Sequence, residues 1–205
     1  MKTAVCTLFE GNYHLGVGAL INSLIDNGFN GDVYVGYRGN LPNWFKQYEK
    51  LDIQGWGMSP FKKMKNGSSV YFLCLDTDIH LTNYKPQFLI RLTTGVCKYY
   101  EAIAYFDPDI VVCRNWIYFE DWMKYGVAVV HDIIMHDMPT THPLRRNWES
   151  IAKKKGYLIH HQLDSYVNAG FCGLSKPYWE FPFIWKEVLD VALNEFSANA
   201  YKLRS

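Results

Sequence analysis

Short runs of contiguous apolar residues alternate along this chain with stretches whose apolar residues recur at helical spacing. Thr3 to Phe9, Asp32 to Tyr37, Val70 to Leu75, Ala102 to Phe106 and Gly126 to Val130 are the strand-like runs. The last two read as continuous apolar strands, the pattern of strands buried between helix layers. Between the first two, Leu15 to Asp26 puts Leu15, Ala19, Leu20, Ile21 and Leu24 at helical spacing, and Asn27-Gly28 stops it. Strands and helices in alternation predict an α/β fold.

The remaining elements follow from the same rules. Pro42 suits the first turn of a helix running to about Lys50. Met58 to Ser69, with three lysines and Gly67, reads as a loop. Pro86 to Cys97 reads as a helix with Phe88, Leu89 and Leu92 inward, and Ile110 to Val112 as a second short strand after Ala102–Phe106. Leu144 to Gly156 is a basic helix, Tyr166 to Leu174 an extended segment, and Trp179 to Asn199 a long terminal helix. No repeat, linker or low-complexity stretch interrupts the series, so residues 1–205 read as one domain.

Charge and composition narrow the function classes. Lys+Arg 21 against Asp+Glu 20 leaves a formal charge of +1, which argues against a broad nucleic-acid-binding surface and against an acidic tail. An aromatic content of 17% argues against disorder; composition favours an aromatic-rich core, with rings lining pockets that receive bases or sugars as the other reading. No apolar run is long enough to span a bilayer, and the N-terminus reads as a strand rather than a signal peptide. Cys6, Cys74, Cys97, Cys113 and Cys172 are odd in number and contain no C-x-x-C pair, which points to a reducing cytoplasm.

The sharpest chemical feature is Asp107-Pro108-Asp109, flanked on both sides by apolar segments. It follows a buried strand, so it leaves the sheet where open α/β sheets place their ligands. Pro108 fixes its own φ and biases Asp107 towards extended backbone. Two carboxylates so held suit a hard divalent cation, Mn2+ or Mg2+, that also takes phosphate oxygens; a plain Asp-Pro turn is the other reading. Asp76-Thr77-Asp78 also follows an apolar strand, as in haloacid-dehalogenase-type phosphatases. It lacks their following small residues and their Ser/Thr and Lys partners, and reads as a polar loop.

Four stretches, in order, resemble nucleotide-sugar glycosyltransferases of the GT-A fold, nearest in pattern to family 8. They are Thr7-Leu8-Phe9-Glu10-Gly11-Asn12-Tyr13 with Asn22-Ser23-Leu24 in the helix behind it, Lys85-Pro86-Gln87-Phe88-Leu89, Asp107-Pro108-Asp109, and Tyr166-Val167-Asn168-Ala169-Gly170-Phe171-Cys172-Gly173. The resemblance implies a three-layer α/β/α fold with a mixed, mostly parallel sheet. It implies a metal-dependent transfer of sugar from a nucleotide-diphosphate sugar, with UDP as the nucleotide, to a hydroxyl acceptor. Thr7 and Tyr13 would lie at the nucleoside, with Tyr13 stacked on the base. Asp109 would ligate the metal, Asp107 the ribose or the metal, and Lys85 the diphosphate. Asn168, Ala169 and Gly170 would sit beside the donor sugar. The family's later Asp-Gln-Asp and His-x-x-Gly-x-x-Lys segments have no counterpart, and the chain stops straight after a helix, as a C-terminally truncated protein would.

Asp164, next to the Asn-Ala-Gly stretch, and Asp132 are the candidate catalytic carboxylates. Asp132 belongs to a cluster of His131, Asp132, His136, Asp137 and His142, readable as a substrate loop, a surface loop or a second metal site. Arg145, Arg146 and Lys153 to Lys155 read as a solvated helix face; contact with an anionic acceptor or peripheral contact with a membrane is the functional alternative. Two rival functions share these motifs. A sugar nucleotidyltransferase of the same fold would carry a Gly-rich loop with an Arg after the first strand, and this chain does not. A non-catalytic nucleotide- or carbohydrate-binding protein fits the missing Asp-Gln-Asp and His-x-x-Gly-x-x-Lys segments.

Overall fold

The computed structural model describes residues 1–133 and 137–195. In chain order it contains β1 (Thr3–Glu10), α1 (His14–Asp26), β2 (Asp32–Arg38), β3 (Glu49–Ile53), β4 (Gly57–Lys63) and β5 (Ser69–Cys74). Then come α2 (Leu81–Thr94), β6 (Ala102–Phe106), α3 (Trp116–Met123), β7 (Val127–His131), α4 (Pro143–Lys154), β8 (Val167–Ser175) and α5 (Phe181–Glu195). The strands form one sheet in the order β3-β4-β5-β2-β1-β6-β8-β7. The middle four, β5-β2-β1-β6, are parallel, and both margins are antiparallel.

Every residue of β1 from Thr3 to Phe9 is buried, because the sheet is covered on both faces. Val5 and Phe9 join Leu20, Leu24, Trp116 and Met123 of α1 and α3 in one core. Cys6 and Leu8 join Phe88, Leu89 and Leu92 of α2 in the other, with Phe181 and Trp185 of α5 packed against it. These two cores are why the central strands read as unbroken apolar runs. The architecture is the expected three-layer α/β/α arrangement. No helix among the described residues is long and apolar enough to cross a membrane.

Several local expectations are corrected. Pro42 to Lys50 is not a helix: a single turn closes from Phe45 N to the Pro42 carbonyl at 3.0 Å, and Gln47 sits at φ 54. Phe45 is drawn onto Phe72 at 4.2 Å between centroids, and the chain then enters β3. The first half of the Met58–Ser69 loop is β4, a half-exposed strand paired with β3 on one side and β5 on the other. Ile110 to Val112 joins no ladder. Its groups are taken instead by α1: Val112 N donates to Ser23 Oγ at 3.0 Å, and Asn27 Nδ2 donates to the Val112 carbonyl at 2.8 Å.

Helix α2 starts five residues before Pro86, at Leu81, because His80 caps it; the His80 Nδ1 accepts from Thr82 N at 3.3 Å. Pro86 lies inside the helix. The Gly126–Val130 run is not sandwiched: β7 is the outer strand, with Val127, Val129 and Val130 only half-buried. Helix α3 was not foreseen at all. The terminal helix is described as far as Glu195, so the expected residues 196–199 lie outside the described residues.

Candidate functional site

The sheet order reverses at β1, since β2 lies on one side of it and β6 on the other. Open α/β sheets bind ligands at such a switch point, beyond the carboxyl ends of the strands. Here those ends open into a cleft lined by Glu10, Tyr13, His80, Lys85, Asp107 and Asp109. The Asp107-Pro108-Asp109 turn is closed by Ile110 N donating to the Asp107 carbonyl at 3.2 Å. Its back rests on α1, where a Cβ on Gly16 would meet the Pro108 carbonyl oxygen at 2.2 Å. Gly16→Ala therefore forces helix and turn apart. It is expected to cost about 1–3 kcal/mol, read as a lowered Tm, since overpacking a fixed backbone has few ways to relax.

Register brings the rest of the site to this turn. β6 pairs antiparallel with β8, Phe106 opposite Phe171, so the start of β8 overruns the end of β6. Asp107 N donates to the Gly170 carbonyl at 2.7 Å. On its other side β8 bulges: Val129 pairs with Cys172, but Val130 pairs with Asn168 where a regular ladder would offer Phe171. The Ala169–Phe171 backbone is thus lifted from the β7 ladder beside the carboxylates, a common use of bulges next to functional sites.

Lys85 reaches this point from α2 and is almost fully buried. Its Nζ lies 2.7 Å from Asp107 Oδ1 and donates to the Ala169 carbonyl at 3.0 Å, above the Tyr105 ring. Tyr105 Oη donates to the same Asp107 oxygen at 2.8 Å. Burial, and then the Asp107 charge, raise the Tyr105 phenol well above its ordinary pKa, so it stays a donor. One oxygen of Asp107 is therefore fixed by a cation and a phenol. Asn168 completes the cluster: Nδ2 donates to Asp132 Oδ2 at 3.0 Å, and Oδ1 accepts from Gly170 N at 2.7 Å.

Lys85, Asp107, Asn168, Ala169, Gly170 and Asp132 are thus joined in one hydrogen-bonded cluster, with Asp109 exposed at its cleft edge. Tyr13 stands at the rim, 58% exposed on a 3-10 turn. Thr7 is different. It is fully buried within β1, does not line the cleft, and its hydroxyl has no hydrogen-bond partner among the described residues. Asp164 is exposed; its backbone carbonyl accepts from Met138 N at 2.8 Å, while its carboxylate is outside the cluster's hydrogen bonds. His131 Nε2 lies 3.2 Å from Ser165 Oγ, His142 caps α4, and His136 lies outside the described residues. Among the described residues no three His, Cys, Asp or Glu converge, so the cluster of His131, Asp132, Asp137 and His142 is not arranged as a second metal site.

Three contributors escaped the sequence reading. Arg38, at the end of β2, donates to Glu10 at 2.8 and 2.5 Å and to the Thr77 carbonyl at 2.9 Å, tying the loop after β5 to the cleft rim. A lone charge closing the apolar Asp32–Tyr37 run was the available signal. His80 caps α2 and lines the cleft, and a helix start five residues before Pro86 was needed to see it. Tyr105 was hidden in an apolar run.

Solved glycosyltransferase structures share this fold. The GT-A fold is the fold of this chain. The galactosyltransferase LgtC, in complex with donor and acceptor sugar analogs, aligns over 92% of this chain and 70% of its own, at 11% identity and TM-score 0.51. The glycosyltransferase GlyE of Streptococcus pneumoniae TIGR4 aligns over 96% of this chain at 14% identity and TM-score 0.50. This chain spans 40% of that GlyE chain. No protein-family model matches the sequence, and no curated protein matches it.

Proposed function

We propose that this chain is a family 8-like glycosyltransferase that moves a sugar from a UDP-sugar, with Mn2+ or Mg2+, to a hydroxyl acceptor. The observation that carries the reading is the cluster in which Lys85 and Tyr105 fix Asp107 against Asn168-Ala169-Gly170. A buried network that orients a carboxylate towards an open cleft, at a topological switch point, is built for a ligand.

The donor set fits a hard cation. Asp109 is exposed at the cleft, and Asp107 keeps Oδ2 outside its contacts with Lys85 and Tyr105. Mg2+-like ions take one or two carboxylates and complete their shell with phosphate oxygens and water. When bound, such an ion supplies charge neutralisation to a departing diphosphate. The chain's own residues do the positioning. Tyr13 offers a ring face for the base at the rim. The bulged Ala169-Gly170 backbone allows close approach of the donor sugar. Asp132 accepts from Asn168 within the cluster, whereas the Asp164 carboxylate is outside the cluster's hydrogen bonds, so Asp132 is favoured over Asp164 for a catalytic role. The free thiols Cys74 and Cys113 are exposed, which supports a reducing, cytoplasmic setting.

Titrating UDP with and without Mn2+ into wild type and Asp109→Ala, followed by assays on a panel of UDP-sugars, tests this reading. Wild type is expected to bind UDP more tightly with Mn2+, and Asp109→Ala to lose about tenfold or more in that condition. Absence of Mn2+-dependent binding by wild type would falsify the proposal. Binding without hydrolysis or transfer identifies a non-catalytic nucleotide-binding protein instead.

A further inference from the structure

A second cleft lies along α1. The core takes Val17, Leu20, Ile21 and Leu24 of this helix, and Leu15, Gly18, Ala19 and Asn22 form the adjoining stripe at i, i+3, i+4 and i+7. Across a cavity of about 500 Å3 this stripe faces Trp44, Phe45, Lys62 and Met64. Small-molecule sites span roughly 300–1,000 Å3 and are mainly apolar with a few placed polar groups, which describes these walls. Gly18 brings α1 up to the Trp44 ring, where a Cβ would already be in contact at 3.6 Å. Trp44 is itself held in place, with Nε1 donating to His14 Nδ1 at 3.1 Å and its ring edge-on to Phe45 and Phe72. It remains 39% exposed on the cleft.

The polar component is of one sign. Lys62 Nζ donates to the neutral Lys46 carbonyl at 3.2 Å and makes no ion pair among the described residues. The wall segments, residues 11–25, 39–48 and 54–75, contain no Asp or Glu, and they carry Lys46, Lys62, Lys63 and Lys65. Glu49 of β3 sits opposite Phe61, beside Lys62 in the strand, and is not bonded to it. An apolar trough with a cation unpaired at its side is complementary to an apolar chain with an anionic end. Two walls enclose a trough, so it takes one chain rather than the plane of a bilayer.

We propose that this cleft binds a single-chain anionic amphiphile in monomeric form. The chain runs along the α1 stripe against Trp44 and Phe45, with its head on Lys62. This site is separate from the Asp107 cleft and stands whether or not the glycosyltransferase reading does.

Calorimetric titration with decyl phosphate below its micellar concentration, decanol, inorganic phosphate and anionic vesicles tests it on the full chain. Decyl phosphate is expected to bind one site, with decanol and inorganic phosphate each about tenfold weaker or more. Gly18→Leu and the exposed Ala19→Leu fill the trough and each lower decyl phosphate affinity by about tenfold. Lys62→Gln brings decyl phosphate down to the affinity of decanol. No saturable binding by wild type overturns the proposal, as does binding that neither Ala19→Leu nor Lys62→Gln weakens. Inorganic phosphate matching decyl phosphate would show a basic rim without a trough, and vesicle binding without binding of the monomer would show a surface patch; either result also overturns it.

Discussion

Lys85→Met is expected to lower the stability of this protein by about 2–3 kcal/mol, larger than the effect of removing any exposed lysine. Lys85 is 4% exposed, and its ammonium has two partners, Asp107 Oδ1 at 2.7 Å and the Ala169 carbonyl at 3.0 Å. Methionine keeps most of the stem's volume, so the loss is one of charge and hydrogen bonds. Asp107 keeps only the Tyr105 phenol on that oxygen, and the Ala169 carbonyl loses its side-chain donor. A partly buried carboxylate without its counter-charge is the costly remainder. The loss would appear as a Tm drop of about 4–12 °C for a chain of this size. A helix-start lysine in solvent predicts less than about 0.5 kcal/mol. Asp107→Asn in the Lys85→Met background removes the unpaired charge, and the two substitutions should couple by about 1–3 kcal/mol in a double-mutant cycle. Independent effects that simply add would show that the pair does not hold the turn.

This contact was only half legible in the sequence. Lys85 was singled out, but for a diphosphate, because a sequence shows the residue and not the direction of its stem. Its direction depends on where α2 begins, and the expected start at Pro86 put Lys85 outside the helix. The cap by His80 moves the start to Leu81 and turns Lys85 into the sheet beneath β8. Asp107 and Asp109 stood out because they end an apolar run with charges that a core does not need, whereas the Asn168-Ala169-Gly170 stretch was marked only by its resemblance to the glycosyltransferase segment.

The fold followed the same division. Strands β1, β2 and β6 are buried on both faces, and β5 buries Val70, Phe72 and Leu73, so their apolar runs were unambiguous. Strands β3 and β4 are sheet margins carrying Glu49, Lys50, Asp52, Lys62 and Lys63, and polarity there reads as loop. Helix α3 had a usable signal in Asn115, whose side chain accepts from Ile117 N at 3.1 Å. Its aromatic run, Trp116 to Trp122, masked the helical period. The β8 bulge left no mark in the sequence, because its cause is a pairing between strands distant in the chain.

That bulge is where the second large effect is expected. Gly170→Ala should cost about 1–3 kcal/mol in stability and, on the proposed function, about tenfold or more in UDP affinity. The reason is space rather than backbone strain. A Cβ at residue 170 would lie 2.8 Å from Asn168 Oδ1 and 3.2 Å from Asp107 Oδ2. Neither atom can retreat cheaply. Asn168 is held by Asp132 Oδ2 at 3.0 Å and by Gly170 N at 2.7 Å. Asp107 is held by Lys85 and Tyr105 on its other oxygen. The added methyl must therefore rotate the carboxylate, shift the Asn168 amide or lift β8 from β6, and each breaks a bond of the cluster. Asn168→Ala in the Gly170→Ala background relieves the closer clash, so the double variant should recover part of the stability while leaving UDP binding weak. Full stability in Gly170→Ala alone would mean that the cluster yields freely and does not orient Asp107.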